Sequence, residues 1–372
     1  MKNIAVIFGG KSTEHDISII TGLGVIKNLG VEYDVVPIYV DVEGIWWTGK
    51  ELKEVEFCAE IDTRKLKKCY MKPRDKNLYI KSIFTRNVEL YCVINAMHGG
   101  LGENGGISGV FETSGVPETS SGILGNAICM DKYLCKMVLR GARIPTQKFM
   151  YVDMEHISHE YKEFRREFSR KIGFPCILKP SNGGSSIGIA IARNWDELDV
   201  LLEKTKEYEN RIVIEKYIDA YREINISAFM LEGNVILSNT EEVVSSSTIY
   251  DYTSKYSRET KVKRISPAVI TEEILNKIAR YTKKAYRIFD CGGVVRFDYF
   301  VVGDKVYLNE VNTIPGSMAY YLWKNTGYTY ARLMNRMIAE SVKRNKRAEI
   351  MKIIRDTKLL KELKDKDFRM SK

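Results

Sequence analysis

Two adjacent strands are predicted by the stretch Val294-Val295-Arg296-Phe297-Asp298-Tyr299-Phe300, which a short turn separates from Leu308-Asn309-Glu310-Val311-Asn312-Thr313-Ile314-Pro315-Gly316. These strands bring together three oxygen-bearing side chains, Asp298, Glu310 and Asn312, with an arginine two residues before the first of them. In proteins Mg²⁺ is typically held by one or two carboxylates together with phosphate oxygens. The stretch is therefore typical of an enzyme that uses ATP.

The register of this hairpin decides whether its two carboxylates meet. Glu310 and the asparagine two residues later share one face, because side chains alternate along a strand. A two-residue turn at Gly303-Asp304 would pair Asp298 with Asn309 and would place the carboxylates on opposite faces. A three-residue turn that adds Lys305 pairs Asp298 with Glu310, and we predict this common turn length. An amphipathic hairpin with solvated acids is the alternative that these residues alone leave open.

The composition indicates a globular protein of two or three domains. The chain has 372 residues, of which 44% are hydrophobic and 28% are charged. The first ten residues predict a strand entering a glycine turn, not a signal peptide, and no apolar run approaches the ~20 residues of a membrane span. The formal net charge is +10, and +7 of it lies in residues 343–372. The basic excess therefore belongs to a C-terminal appendage and not to a nucleic-acid-binding stripe across the body.

The cysteines and histidines indicate no metal or disulfide framework. Seven cysteines are scattered without a CxxC pair, and the four histidines form no zinc-binding spacing with them. This pattern favours reduced thiols in a cytoplasmic protein.

The alternation of strand and helix patterns predicts an α/β fold that begins with a parallel sheet. Strand patterns cover residues 4–8, 34–40 and 92–96, and a helix pattern covers residues 17–29. Such alternation is typical of crossover helices packed on a parallel sheet. We assign residues 1–125 to this N-terminal domain.

The rest of the chain is predicted to form two α+β domains and an appendage. The central domain spans residues 126–217 and opens with one helix over residues 126–141. The C-terminal domain spans residues 218–343. Residues 344–372 are mostly charged, with apolar residues near helical spacing, so we expect an amphipathic helix that docks on the protein's own body and not on an anionic partner.

A glycine-rich loop lies between two predicted strands at residues 176–189. Glycines let backbone N–H groups approach phosphate oxygens closely, and Ser185 and Ser186 add hydroxyl donors. Lys179 ends the strand before the loop. The loop is not of the Walker A type, because no GK[ST] sequence follows. Lys132 and Lys136 lie one turn apart on a predicted helix, where a solvated face is the alternative.

These motifs together resemble the D-alanine–D-alanine ligase family of the ATP-grasp superfamily. Seven of them occur in the family's order, at residues 8–18 (FGGKSTEHDIS), 98–105 (HGGLGENG), 130–136, 179–188, 250–256 (YDYTSKY), 296–298 and 310–313. The resemblance covers nearly the whole chain except the appendage. It implies a three-domain fold in which the parallel α/β domain is followed by two α+β ATP-grasp domains that sandwich ATP.

The resemblance also implies a reaction. ATP would phosphorylate the carboxylate of one D-alanine, and the amine of a second would attack this D-alanyl phosphate to give D-Ala-D-Ala for peptidoglycan precursors. Two Mg²⁺ ions, or Mn²⁺ in their place, would assist. Positioning and electrostatic stabilisation account for most of the rate in such phosphoryl and acyl transfers.

Roles in nucleotide and metal binding follow from the resemblance by position. It implies that ATP is bound by Lys136, Lys179, Ser186, Glu215, Lys216, Ile218, Glu223 and Lys255. It implies that Mg²⁺ is bound by Asp298, Glu310 and Asn312. Glu215 and Glu223 are eight residues apart, one more than we expect of the family, so the ribose-binding role of Glu223 departs from its pattern.

Roles in amino-acid binding and catalysis also follow from the resemblance. Glu14 would hold the first ammonium group, and Arg296 would stabilise the oxyanion of the tetrahedral intermediate. Ser185 would link Glu14 to Tyr256, which would close over the substrate amine. The remaining implied substrate-binding residues are His98, Gly316, Tyr321 and Leu322.

The acceptor site departs from the family's pattern. Where the family has a Ser-Leu pair for the second carboxylate, this chain has Tyr321-Leu322. The acceptor is therefore left open between D-alanine, D-serine and another small D-amino acid. We expect D-amino acids as partners, a homodimer, and no nucleic acid or membrane. A remote alternative is an inactive ATP-grasp relative that binds anions through its basic tail.

Overall fold

Three β-sheets organise the protein. The structure, a computed structural model, describes residues 1–184, 187–244 and 263–350, without the side chains of residues 158–159 and 348–350. Within these ranges the sheets have seven, four and five strands and follow one another along the chain. The domain boundaries given above stay a prediction.

The N-terminal sheet combines a parallel core with an antiparallel extension. Its strands are β1 (Lys2–Gly9), β2 (Tyr33–Val40), β3 (Trp46–Thr48), β4 (Lys67–Lys72), β5 (Asp75–Ile80), β6 (Arg86–Glu89) and β7 (Cys92–Asn95), and its helices are α1 (His15–Asn28), α2 (Val55–Ala59), α3 (Gly100–Glu103), α4 (Gly106–Ser114) and α5 (Gly122–Met130). The strand order is β6-β5-β4-β3-β2-β1-β7, with β1 parallel to both β2 and β7. Residues 4–8 of β1 are fully buried, as expected of a strand covered on both faces. The predicted parallel sheet is confirmed.

The central sheet is antiparallel. Its strands are β8 (Phe149–Asp153), β9 (Cys176–Pro180), β10 (Ala190–Ala192) and β11 (Arg211–Lys216), and its helices are α6 (Lys132–Gly141), α7 (Ile157–Lys171) and α8 (Trp195–Lys206). The order is β10-β9-β11-β8. Phe164, Phe168 and Trp195 fill the space between α7, α8 and the sheet.

The C-terminal sheet has two faces with different roles. Its strands are β12 (Arg222–Leu231), β13 (Asn234–Val244), β14 (Lys263–Ile265), β15 (Val295–Val302) and β16 (Lys305–Asn312), in the antiparallel order β14-β13-β12-β15-β16, and its helices are α9 (Glu272–Ile288), α10 (Tyr320–Trp323) and α11 (Tyr330–Ile350). Phe297 and Tyr299 point to α9 and belong to one hydrophobic core with it. Arg296 and Asp298 alternate with them and face a cavity.

The helix predicted over residues 126–141 is wrong as a single helix. Asp131 has an extended conformation that separates α5 from α6, and its carboxylate accepts a hydrogen bond from the Leu134 N–H as an N-cap. The same carboxylate accepts a hydrogen bond from Ser181 Oγ at 2.8 Å and pairs with Arg211 at 2.7 Å. Asp131 therefore joins the start of α6 to the central sheet.

The beginning of the basic appendage continues α11. Arg344 pairs with Asp290 at 2.6 Å, and Asn345 donates to the Gly115 carbonyl at 3.2 Å. Leu333 and Met334 of the same helix pack in one core with β1. Residues 351–372 lie outside the described residues. Within the described ranges, none of the helices combines the length and apolar character that crossing a membrane requires.

Candidate active site

The β15–β16 hairpin has the predicted pairing but not the predicted turn. Asp298 lies opposite Glu310, as predicted. Val302 pairs with Lys305, so only Gly303 and Asp304 form the turn, and the three-residue turn is wrong. The register shifts by one residue between Asp298 and Tyr299, which makes Asn309 the extra residue of a β-bulge. The bulge thus compensates for the short turn and returns both carboxylates to one face.

Asp298 is the centre of a polar network. Its carboxylate accepts hydrogen bonds from Arg296 Nε at 2.7 Å, Arg296 Nη2 at 2.8 Å and Asn312 Nδ2 at 2.9 Å. Asn225 lies opposite Asp298 on β12 and also lines the cavity. Its Oδ1 is buried and accepts no hydrogen bond from any described residue.

The donor set of this network fits a hard divalent cation. Two facing carboxylates, an asparagine and a buried amide oxygen without a donor are the oxygen ligands that Mg²⁺ and Mn²⁺ take. An unsatisfied buried oxygen costs free energy, which a cation or a donor on the substrate would recover.

Glu215 lies between two lysines at the other end of the cavity. Its carboxylate is 3.2 Å from Lys136 Nζ and 2.9 Å from Lys179 Nζ. Burial by itself would raise the pKa of Glu215, but the two lysines outweigh burial and lower the pKa to about 2. Burial lowers the pKa of Lys136, and Lys179 adds to this effect while Glu215 opposes it. The cluster carries two positive charges and one negative charge, which leaves a net positive charge suited to phosphate.

The bulge residue Asn309 joins the hairpin to this lysine cluster. Its carbonyl accepts from Lys136 Nζ at 3.3 Å, and its Oδ1 accepts from Gln147 Nε2 at 3.1 Å and from Lys179 Nζ at 3.4 Å. The sequence analysis gave no role to Asn309 or Gln147. Neither is charged, so residue type did not point to them. The signal that could have revealed the bulge is the shift in apolar alternation from Val306 and Leu308 to Val311.

Glu14, His98 and the loop after β16 form the end of the cavity that is predicted to bind the amino acids, which we call the amino-acid end. A Cβ on Gly184 would lie 2.8 Å from Glu14 Oε2, so the glycine loop of the central domain approaches this carboxylate closely. His98 Nε2 lies 2.8 Å from Thr21 Oγ1, which also accepts from the Ser317 N–H at 3.1 Å. Burial lowers the pKa of His98 to about 4, so its ring is neutral at pH 7. Thr21, for which we predicted no role, therefore connects α1 to His98 and to the loop after β16.

Glu103 is a further buried carboxylate that the sequence analysis quoted within a motif without assigning a role. Its oxygens accept from the Gly99 N–H at 3.1 Å and the Ile314 N–H at 3.3 Å. Burial, with a smaller contribution from Glu14, raises its pKa to about 7. Glu103 thus links the His98 loop to the loop after β16.

The loop after β16 has an unusual backbone. Ser317, Met318 and Ala319 have φ values of 51°, 52° and 47°, in the left-handed region that costs a non-glycine residue about 1–2 kcal/mol. Buried Met318 and Ala319 hold this turn in the core. The turn directs Tyr321 to the cavity, whereas Leu322 is 1% exposed and packs in the core instead.

One cavity of about 480 Å³ connects these groups, a size typical of small-molecule sites. The predicted site residues that line it are Glu14, His98, Lys179, Glu215, Lys216, Ile218, Glu223, Arg296, Asp298, Glu310, Asn312, Gly316 and Tyr321. Lys136 lies behind Glu215, and Leu322 lies in the core; neither lines the cavity. Ser185, Ser186, Lys255 and Tyr256 lie outside the described residues.

Known proteins are similar to this chain in sequence and in architecture. The family models described as D-ala D-ala ligase N-terminus and D-ala D-ala ligase C-terminus match residues 3–121 and 138–339. A protein of Thermosipho melanesiensis named D-alanine–D-alanine ligase is 34% identical over 367 residues, which cover 97% of this chain and 99% of that protein.

Two solved structures are similar over most of their length. The VanG D-Ala:D-Ser ligase of Enterococcus faecalis has a TM-score of 0.79 and 26% identity, covering 91% of this chain and 99% of that one. The D-alanine–D-alanine ligase of Helicobacter pylori has a TM-score of 0.73 and 25% identity, covering 91% and 98%.

Proposed function

This chain belongs to the D-alanine–D-alanine ligase family, and we infer that it is an ATP-dependent ligase that joins two D-alanine molecules for peptidoglycan precursors. The observation that carries this inference is one cavity that holds a positive lysine cluster at one end and the Glu14–His98–Arg296 group at the other. Such a cavity accepts a triphosphate and two small zwitterions side by side.

The phosphate-binding end supplies charge without covalent chemistry. Lys179, which pairs with Glu215, offers a positive charge to the ATP phosphates, and Lys216 and Ile218 border the space proposed for adenine. Glu223 borders the same space and is our candidate for the ribose. Ser186 and Lys255 are proposed to add phosphate contacts from the segments outside the described residues.

The hairpin supplies the ligands for divalent cations. Asp298, Glu310 and Asn312 would hold Mg²⁺ or Mn²⁺, which when bound neutralises the phosphate charge. We propose that two such ions bind. Cation binding at Asp298 would compete with the bidentate contact from Arg296 and so leave that guanidinium available to the substrate.

The amino-acid end orients the reacting groups. Glu14 binds the ammonium group of the donor, whose carboxylate becomes the D-alanyl phosphate. The amine of the acceptor attacks the carbonyl carbon of this acyl phosphate, and Arg296 with the Gly316 N–H stabilises the oxyanion that develops. Collapse of this intermediate breaks the acyl C–O bond, releases inorganic phosphate and leaves the amide once the nitrogen has lost a proton. Neutral His98 is held by Thr21 next to the donor. Ser185 and Tyr256 are proposed to complete this end, with Ser185 bridging to Glu14.

The test is a product assay with the full-length protein. We expect ADP release with ATP, Mg²⁺ and D-alanine but not with L-alanine, and D-Ala-D-Ala as the product by mass spectrometry. D298N should lose activity, whereas the matched variant D304N at the exposed hairpin turn should keep it. Absence of ADP release from the wild-type protein would contradict the proposed function.

A second acceptor is tested in the same assay. The similarity to the VanG D-Ala:D-Ser ligase and the Tyr321 substitution favour including D-serine. With equimolar D-alanine and D-serine, a predominance of D-Ala-D-Ser would assign that activity instead. Because the reaction consumes ATP, we propose a cytoplasmic location. The homodimer stays a prediction.

A further inference from the structure

Arg264 is an arginine at the amino-acid end of the cavity to which the sequence analysis gave no role. It lies on β14 opposite Val243 of β13 and lines the same cavity as Arg296, Ser317 and Tyr321. Its guanidinium carbon is 5.6 Å from the centre of the Tyr321 ring. Arg296 Nη1 approaches the hydroxyl of the same tyrosine at 3.4 Å. Tyr321 therefore lies between two permanent positive charges.

A buried glutamate holds Arg264 in place. Arg264 Nη1 donates to Glu241 Oε1 at 2.6 Å, and the Glu241 side chain is 5% exposed whereas that of Arg264 is 52% exposed. Glu241 continues the row formed across the sheet by Asn225, Asp298 and Glu310. The guanidinium is thus anchored at one nitrogen and open to the cavity on its other side. In the described part of the chain, its Nε and Nη2 have no hydrogen-bond partner.

The other cations that line the cavity are engaged elsewhere. Lys179 pairs with Glu215, Lys216 donates to the Phe174 carbonyl at 2.8 Å, and Lys132 donates to the Gly183 carbonyl. All three belong to the central domain at the phosphate end. Arg296 uses Nε and Nη2 for Asp298. Among the described residues, Arg264 is therefore the cation at the amino-acid end with a free pair of donors.

The proposed reaction leaves one negative charge to which no cation among the described residues has been assigned. The carboxylate of the donor becomes the acyl group and is consumed, but the carboxylate of the acceptor stays ionised from binding to product. It needs a permanent positive charge outside the reacting centre. A guanidinium fork binds a carboxylate with two parallel hydrogen bonds, which an ammonium group cannot match in geometry.

We propose that Arg264 binds the α-carboxylate of the acceptor amino acid, and that the Tyr321 hydroxyl borders the same subsite. The assignment rests on the proposed function. It makes Arg264 a specificity-determining residue that selects acceptors with a free carboxylate. In this chain Tyr321 and the core residue Leu322 stand where the family has the Ser-Leu pair for that carboxylate.

The experiment compares D-alanine and D-alaninamide as acceptors. The amide has no carboxylate to activate, so it can enter only the acceptor site, and mass spectrometry separates D-Ala-D-alaninamide from D-Ala-D-Ala. In R264M we expect kcat/KM for D-alanine as acceptor to fall by about 10- to 150-fold, the effect of losing a charged hydrogen bond, chiefly through KM. The kcat/KM for D-alaninamide and the KM for ATP should stay nearly unchanged. R264K should recover part of the loss, because it keeps the charge without the fork.

The matched control is R222M. Arg222 forms a similar pair with Glu242 on the opposite face of the same sheet and does not line the cavity. R222M should leave the ratio of kcat/KM for D-alanine to kcat/KM for D-alaninamide at the wild-type value. Because R264M leaves Glu241 buried without its partner, the double variant R264M/E241Q is measured in parallel, with unfolding midpoints to confirm that both fold.

The outcomes separate this inference from the proposed function. Wild-type protein that releases no ADP with D-alanine would overturn both. If the wild type is active and folded R264M loses kcat/KM equally for D-alanine and D-alaninamide, or for neither, the role of Arg264 alone would be overturned. Collapse of the preference for D-alanine over its amide, in R264M but not in R222M, would support it.

Discussion

Replacing Glu215 with glutamine should destabilise the central domain, because this carboxylate is the counter-charge of two buried lysines. Its side chain is 1% exposed, and those of Lys136 and Lys179 are 2% and 10% exposed. E215Q keeps the size of the side chain and removes the charge. Two ammonium groups would then remain close together without an anion between them.

The magnitude follows from the pKa of Glu215. The lysines lower it from 4.5 to about 2, which corresponds to about 3 kcal/mol of stabilisation at neutral pH. Removal of one partner from a buried ion pair typically costs about 3–5 kcal/mol. Lys136 retains Thr146, Gln147 and the Asn309 carbonyl as acceptors. We therefore expect a loss of about 3 kcal/mol, near the lower end of that range.

The assay is urea unfolding of wild type and E215Q at neutral pH, with hydrogen exchange of the central strands to locate the loss. The stabilisation by an ionised carboxylate with a lowered pKa is present above pH 4.5 and is lost as the pH falls toward 2. The difference between the two proteins should accordingly narrow in acid. E163Q, which removes the charge of an exposed glutamate of α7, should keep the wild-type midpoint. Coincident midpoints of wild type and E215Q at neutral pH would refute the reasoning.

Three further changes test other parts of the site. R296A should raise the barrier by about 2.7–4 kcal/mol, the typical cost of a lost oxyanion donor, with nucleotide affinity nearly kept; an unchanged kcat would remove Arg296 from this role. Burial raises the pKa of Glu103 to about 7, so the wild type should lose about 3 kcal/mol of stability as the pH rises from 4.5 to 7. E103Q should flatten this dependence, and an equal slope in urea midpoints would contradict it. N309A removes the oxygen that accepts from Gln147 and Lys179, and it should lower the free energy of urea unfolding by about 1–3 kcal/mol. An unchanged free energy of unfolding would show that this contact is dispensable.

The pairing of Asp298 with Glu310 in the β15–β16 hairpin was predicted from the sequence for a partly wrong reason. The three-residue turn was predicted because that length is common, and it would place Asp298 and Glu310 on one face. The chain reaches the same pairing with a shorter turn and a bulge at Asn309. The apolar alternation shifts by one residue between Leu308 and Val311, which marks the bulge, but the predicted strand continued through Asn309 without it.

Motif residues were easier to predict than the residues that hold them. Charged groups such as Lys179, Glu215 and Arg296 carry recognisable chemistry and line the predicted cavity. Thr21 and Gln147 act through hydrogen bonds that only the tertiary structure brings together. The helix break at Asp131 was missed for the same reason, since its partner Ser181 is fifty residues away.

The bulge at Asn309 has a consequence for how the nucleotide can enter and leave. Through its carbonyl and its side chain, this one residue connects the sheet that bears the proposed metal ligands to Lys136, Gln147 and Lys179 of the neighbouring domain. Any hinge motion that separates the two ATP-grasp domains must break these three contacts together. If ADP leaves through such an opening, its departure requires that these three hydrogen bonds break first.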